Sequence, residues 1–128
     1  MFRGKPVNDL HIYDSQDWVE GYYIVIDHRH YIYNWTFHEV NPDTVGRYRG
    51  YPDKNNKKIH EGDIHENKGN YYVILLGEFI DSTGKKLYGW HLKNKHNQCF
   101  AMDGSEADSI NIVGNIFDNA ELVGGNNG

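Results

Sequence analysis

Two arginines and a tyrosine alternate in the segment VGRYRGY, and these residue types can bind a phosphate-bearing ligand. If the segment is extended, Arg47, Arg49 and Tyr51 lie on one face of a strand. A guanidinium binds phosphate through two parallel hydrogen bonds, and a phenol ring can stack on a base. We therefore predict Arg47, Arg49 and Tyr51 as ligand-binding residues. The alternative is a solvent-facing strand whose arginines pair with nearby carboxylates.

A row of aromatic residues predicts a second part of the site. In HYIYNWTFHEV one continuous strand would place four rings on a single face, namely those of Tyr31, Tyr33, Trp35 and Phe37. Three interpretations stay open. The rings form the core, a subunit interface, or a platform on which a base or a nicotinamide-like ring stacks. From this row, Tyr31 and Trp35 join the predicted ligand-binding residues.

The acidic residues of IHEGD do not predict catalysis. Glu61 and Asp63 share a strand face, but the setting favours a bend at Gly62 and an Asp63 carboxylate that accepts local backbone N–H groups. The chain has no phosphate-binding glycine loop, nucleophile elbow or HExxH motif. We expect a protein that is not an enzyme and has no cofactor, with a carboxylate-based hydrolase as the distant alternative.

The eight histidines lack the spacing of a metal site. His60 and His65 lie five residues apart on a predicted strand, so they would face opposite sides. The single cysteine, Cys99, cannot form a disulfide within the chain and has no nucleophile motif around it. We predict no bound metal ion.

The net charge of −5 limits the classes of partner. Binding to nucleic acid requires cations that displace counterions from the phosphates, so an acidic chain disfavours it. No apolar run approaches the roughly 20 residues of a membrane helix, and no apolar segment of a signal peptide follows the basic start. We expect no membrane partner.

Two-residue alternation and frequent turns predict an all-β protein. The segment WVEGYYIVIDHRHYIYNWTFHEV is predicted to hold two strands, and further strands are predicted at Val45–Tyr51 and from Lys58 onwards. The intervening PDKNNKK has the chemistry of a hairpin turn. Asp53 would accept local N–H groups, Asn56 would adopt the left-handed conformation, and the lysines would lie in solvent.

The second half of the chain predicts another hairpin and a final strand. YYVILLGEFI and KKLYGWHLKN would pair through the turn DSTG, and residues 94–109 would be irregular. SINIVGNIFD would be the last strand. Asp118 and Glu121, at capping-box spacing, then predict a short helical turn. Together the elements predict a small barrel or sandwich in one domain, residues 1–123, and a flexible Gly/Asn tail at 124–128.

Three segments carry a family resemblance. PDTVGRYRGYPDKNNKKIHEGDI resembles the signature of the YopX family of phage and prophage proteins. FRGKPVN and IVGNIFDNAELV resemble the opening and the ending of the family pattern, and the three segments follow in family order. This chain departs from the pattern at Arg47 and Arg49, where the family tends to have Gln and Thr.

The resemblance implies a fold but no particular activity. The fold is all-β, a small SH3-like barrel with additional N-terminal strands and a short C-terminal helical turn. The context is a phage or prophage protein acting in the cytoplasm of the infected or lysogenic bacterial host.

Three functions stay open at this point. The first is a homo-oligomeric, non-catalytic binder of a nucleotide-derived small molecule, which would sequester a bacterial immune signal. The second is an SH3-like protein-interaction module that modulates a host or phage protein. The third is single-stranded nucleic-acid binding, which the net charge of −5 disfavours.

Overall fold

The computed structural model describes residues 1–7, 18–102, 104 and 109–124. The chain divides into two compact units, Met1–Tyr48 and Arg49–Gly128. Within the described residues the regular elements are β-strands and short 3₁₀ turns, so the predicted all-β class is confirmed. A single domain over residues 1–123 stays a prediction, and residues 125–128 of the predicted tail lie outside the described residues.

The first unit is an antiparallel sheet with the strand order β4-β3-β2-β1-β5. Its strands are β1 (Phe2–Gly4), β2 (Val19–Ile26), β3 (Arg29–Tyr33), β4 (Phe37–Glu39) and the first residues of β5 (Gly46–Pro52), which continues into the second unit. A 3₁₀ turn at Pro42–Thr44 precedes β5. Ile32 and Val40 are fully buried and form the inner side of the unit.

The turn between β2 and β3 sets the register of this sheet. Asp27 and His28 have φ angles of 49° and 67°, the left-handed conformations of a two-residue hairpin turn. Ile26 therefore pairs with Arg29, and the register continues along the strands to the Tyr22–Tyr33 pair.

The prediction of a single second strand in residues 29–40 was wrong. The strand ends at Tyr33, and the chain bends back through residues 34–36 into β4, so residues 18–40 hold three strands where two were predicted. Trp35 has φ 83°, a left-handed conformation that a continuous strand does not allow. The alternation that suggested one aromatic face therefore stops at Tyr33, and Phe37 reaches Tyr33 as its cross-strand partner.

The second unit is built on an antiparallel sheet with the order β10-β9-β8-β7-β11. The strands of the unit are β6 (Lys58–His60), which neighbours β5, and β7 (Asp63–Asn67), β8 (Asn70–Ile80), β9 (Lys86–Lys93), β10 (Cys99–Ala101) and β11 (Ile112–Asn115). The buried side chains of the core are Ile59, Ile74, Met102, Ile110 and Ile112, and Trp90 and Leu92 pack against them. The predicted hairpin of β8 and β9 is confirmed.

Two local predictions in the second unit need correction. Residues 94–109 are not irregular throughout, because they include strand β10; residues 103 and 105–108 of this segment lie outside the described residues. The predicted C-terminal helical turn is present as a 3₁₀ helix at Ala120–Val123, but it starts after Asn119 without a side-chain cap. Asp118 does not cap it, since its Oδ2 accepts a hydrogen bond from Nδ2 of Asn115 at 3.1 Å.

The sheets do not close in the described residues, and the SH3-like barrel stays a prediction.

The hairpin turn at Asp53 forms as predicted. The Oδ1 atom accepts the N–H groups of Asn55 and Lys57 at 2.8 Å each, and Oδ2 accepts the N–H of Ile112 at 3.0 Å. Asn56 has φ 65°, and the lysines at the tip are exposed. Burial alone would raise the pKa of Asp53, but these backbone N–H groups hold it below its ordinary value of 3.8.

Asp53→Ala is expected to lower the free energy of unfolding by about 2–4 kcal/mol, because it leaves a buried strand N–H of Ile112 without its acceptor. The matched control is Asp81→Ala, at the turn of the other hairpin, where the carboxylate accepts only local groups of Thr83 and Lys85. We expect the control to lose about 1 kcal/mol. Urea unfolding of both variants measures the difference, and equal losses would contradict the assigned role of Asp53.

Candidate ligand-binding site

Trp35 lies at the tip of the bend between β3 and β4, and its side chain is almost wholly in solvent. Its relative exposure is 90% and its φ is 83°. Left-handed backbone is costly for a bulky residue, and an exposed indole gains nothing from burial within the chain. Trp35 is therefore not a core residue. An unfavourable conformation combined with an exposed ring is the feature expected where a side chain is presented to a ligand.

Hydrogen bonds fasten this bend. Asn34 donates from Nδ2 to the carbonyl oxygen of Glu20 at 3.1 Å, which orients its amide. Its Oδ1 lies 2.9 Å from Nε2 of His38, and that nitrogen also lies 3.0 Å from Oγ1 of Thr36. Because an amide oxygen only accepts, His38 must carry its proton on Nε2. The exposed indole thus belongs to a loop whose conformation is fixed by side-chain hydrogen bonds.

A cavity of about 290 Å³ lies beside the Trp35 ring. Its lining residues are Met1, Gly21, Tyr22, Tyr33, Asn34 and Trp35. Gly21 is required here, because a Cβ at this position would collide with the carbonyl oxygen of Tyr33. The cavity is thus bordered by two phenol rings and one indole, which are electron-rich faces suited to a planar ligand.

The rings continue across the sheet beyond the cavity. Tyr33 and Phe37 have centroids 5.0 Å apart, and Tyr31 meets Phe37 edge to face at 5.9 Å. Tyr22 is 65% exposed and Phe37 55% exposed, so this side of β2, β3 and β4 is open to solvent. We call the surface formed by Tyr22, Tyr31, Tyr33, Trp35 and Phe37 the aromatic face.

The structure brings Tyr31 and Trp35 to this face but leaves Arg47 away from it. The guanidinium of Arg47 lies over the ring of Phe2 at 5.4 Å, and Phe2 contacts Tyr23. Tyr23 follows Tyr22 in β2 and so points to the opposite side of the sheet.

Arg49 and Tyr51 belong to the second unit. The guanidinium of Arg49 lies over the rings of Tyr51 and Trp90, at 4.7 and 5.3 Å, and its Nη2 donates to the carbonyl oxygen of Met102 at 3.3 Å. These contacts give Arg49 a packing role beside the core. A ligand-binding role for Arg47, Arg49 and Tyr51 stays a prediction.

Sequence reasoning missed Tyr22, Gly21 and Arg29. The dipeptide Asp27-His28 carried the necessary signal, because a two-residue turn there aligns Tyr22 with Tyr33. Arg29 stands on the same side of β3 as Tyr31 and Tyr33. It forms an ion pair with the carboxylate of Glu39 at 3.9 Å, and because the two side chains are 68% and 38% exposed, this ion pair is weak.

The residues of IHEGD have the structural roles that the sequence favoured. Gly62 has φ 89° at the bend between β6 and β7, and Asp63 accepts the backbone N–H of His60 at 2.8 Å. Among the described residues no group of three or more His, Cys, Asp or Glu side chains could hold a metal ion.

His65 is a buried imidazole of the second unit. Its Nδ1 accepts the N–H of Asn111 at 2.9 Å, which leaves the proton of the neutral ring on Nε2. Burial lowers the pKa of His65 below its ordinary value of 6.5.

The fold defines an all-β protein of two compact units, with an exposed aromatic face on the first. The YopX protein family matches residues 5–124 of the 128-residue chain, so the chain belongs to this family. The resemblance found in the sequence is thereby confirmed, and it supports a phage-associated protein. No match was found among curated proteins. In the described part of the chain no helix is long and apolar enough to span a membrane.

Trp35→Gly is expected to raise the free energy of unfolding by about 1 kcal/mol, because glycine adopts a φ of 83° without strain. The control Trp35→Ala keeps a Cβ at this φ and should give no such gain. Thermal and urea unfolding measure both variants. A loss of stability in Trp35→Gly would show that the indole packs against the fold, and this would remove the argument for a presented ring.

The stability of the protein should fall as the pH is lowered from about 6.5, and His65 should contribute to the fall. The unfolded chain takes up a proton on this histidine near pH 6.5, whereas the folded chain does so only at lower pH. The contribution cannot exceed about 1.4 kcal/mol per pH unit. His65→Asn keeps an acceptor for Asn111 and removes the titration. Unfolding curves at pH 7.5 and 5.5 test this, and an identical pH dependence in variant and parent would contradict it.

Proposed function

We propose that this protein is a non-catalytic, phage-encoded accessory protein that binds a nucleotide-derived small molecule on its aromatic face. The observation that carries the proposal is Trp35, which is 90% exposed at a φ of 83° beside a cavity bordered by Tyr22 and Tyr33. A ligand that covers the indole would recover the burial that the folded chain does not provide.

The cavity suits a planar ring. Its volume of about 290 Å³ leaves room for a base, and its walls are mainly aromatic. Stacking of a base on an aromatic side chain contributes about 1–3 kcal/mol and tolerates different bases. This supports a heteroaromatic ligand in general and does not select one base.

Arg29 is the cation that we assign to the phosphate of such a ligand. It stands four residues before Tyr33 on the same side of β3, about 13 Å along the strand. Its exposed ion pair with Glu39, at 3.9 Å, is weak enough to be exchanged for a phosphate. This differs from the sequence-based proposal, in which Arg47 and Arg49 held the phosphate.

The polar groups beside the cavity support a binding role without turnover. The amide of Asn34 is engaged on both of its ends, with Glu20 and His38. Groups that already hold a loop are poor candidates for proton transfer, which requires a group within reach of the reacting atoms.

A homo-oligomer is the proposed assembly, since a second copy would cover the exposed rings of the aromatic face and enclose the ligand. In a phage-associated protein, enclosure of this kind would sequester a nucleotide signal of a bacterial immune system.

A protein-interaction module, built as an SH3-like barrel, is the second candidate. It is favoured by an aliphatic extension of the aromatic face: Ile24 and Ile26 stand on the same side of β2 as Tyr22, and Ile26 is 45% exposed. These two side chains continue the aromatic face along β2 beyond the cavity. A partner protein would need such an extended surface, whereas a small ligand would not. Ile26→Asp should abolish such an interaction while leaving the binding of a small ligand in the cavity unchanged.

Calorimetric titration with ADP-ribose derivatives and cyclic nucleotides tests the first candidate. We expect saturable binding that Trp35→Ala weakens at least about tenfold, equivalent to about 1.4 kcal/mol. Tyr88→Ala is the matched control, because Tyr88 is another exposed ring, at 77%, in the second unit. Arg29→Gln should weaken the binding of phosphate-bearing ligands more than the binding of the free nucleosides.

Absence of binding by every nucleotide would overturn the proposal. Equal losses in Trp35→Ala and Tyr88→Ala would move the site away from the aromatic face. Tighter binding of single-stranded oligonucleotides than of mononucleotides would instead favour nucleic-acid binding.

A further inference from the structure

A second cavity, of about 230 Å³, lies in the other unit. Its apolar walls are the side chains of Tyr72, Leu92, Phe100 and Ile110, and His65 also lines it. The rings of Tyr72 and Phe100 are nearly perpendicular, with planes at 81° and centroids 6.1 Å apart, so one ring presents its face beside the edge of the other. A planar molecule can stack on one ring while it contacts the other.

His65 supplies one polar group of the cavity lining, which also includes Asn67 and Ser109. The residue is only 5% exposed, and its ring stacks on Tyr72 with the planes 27° apart. Nδ1 is occupied by the N–H of Asn111, so Nε2 carries the proton of the neutral ring. Within the described residues Nε2–H has no hydrogen-bond acceptor. A donor without an acceptor within the chain can donate to water, and a ligand oxygen in the cavity would replace that water.

We propose that this cavity binds a small planar molecule whose neutral carbonyl oxygen accepts the Nε2–H of His65. The site is distinct from the aromatic face and does not depend on the function proposed for it.

The surroundings select a neutral acceptor over an anion. Among the described residues that line the cavity there is no lysine or arginine to balance a carboxylate. A proton added to Nδ1 would point at the N–H of Asn111, so the ring cannot readily become a cation. The neighbouring Glu66 accepts hydrogen bonds from Gly69 and Asn111 and adds negative charge, whereas the positive charge of Lys54 acts on His65 from outside the cavity lining. An anion would therefore lose its hydration without gaining a counter-charge inside the cavity.

Nuclear magnetic resonance of the full chain labelled with ¹³C and ¹⁵N tests the proposal with three probes of similar size: benzamide, benzoate and toluene. Long-range imidazole spectra should show the Nε2–H tautomer of His65. Benzamide should shift the His65 ring and the Leu92 and Ile110 methyl signals, saturating on the order of 1 mM. Benzoate and toluene should each bind at least about tenfold more weakly, because one lacks a counter-charge and the other an acceptor.

Two variants locate the binding. His65→Asn retains an acceptor for Asn111 but lacks the Nε2 donor, so it should bind benzamide and toluene alike. Phe100→Ala removes the cavity wall that the edge strand β10 provides. Because the Phe100 ring is 38% exposed, the variant should weaken the binding of benzamide with little change in melting temperature. Trp35→Ala should leave the benzamide-induced shifts at His65 unchanged.

Three results would overturn the proposal. These are an Nδ1–H tautomer of His65, equal affinity for benzamide and benzoate, and shifts at His65 that do not saturate with benzamide.

Discussion

Side-chain oxygens that accept backbone N–H groups hold the turns of this protein, and the strands take their positions from those turns. A small β protein has many reversals, and each leaves N–H groups that the ladders do not satisfy. Asp53 is the central case, because it closes its own turn and also binds the N–H of Ile112 in β11. Asp81 and Asn94 repeat the local part of this arrangement in the turns on either side of β9. The requirement explains the abundance of Asp and Asn at the reversals.

The bend that carries Trp35 uses the same chemistry for a different purpose. Its hydrogen bonds among Asn34, His38 and the carbonyl of Glu20 hold the backbone in a left-handed conformation at a bulky residue. Left-handed residues also occur in the Asp53 and Asn94 turns, at Asn56 and Asn97, but asparagine tolerates this conformation far better than tryptophan does. The left-handed backbone at Trp35 lowers the stability of the fold, and it holds the indole in an exposed position. That unfavourable backbone is the physical basis for proposing a ligand at the aromatic face.

The two arginines that depart from the family pattern each find an aromatic partner in their own unit. Arg47 lies over Phe2, and Arg49 lies over Tyr51 and Trp90. A guanidinium is flat and weakly hydrated, so it can cover a ring while its edges still donate hydrogen bonds. Packing of this kind gives both arginines partners within the chain, and a phosphate-binding role for them stays a prediction.

The sequence by itself determined the all-β class, the hairpin at Asp53, the β8–β9 hairpin and the family. These depend on turn chemistry and on short-range patterns, which act within a few residues and need no distant partner. Only the tertiary structure decided that Trp35 is exposed, that Tyr22 joins it, and that His65 lines a cavity. Exposure depends on which neighbouring strands cover a given side of a sheet, and one left-handed residue was enough to end the pattern in β3. Alternation assigns a residue to one of two sides, but the surrounding chain decides which side meets water.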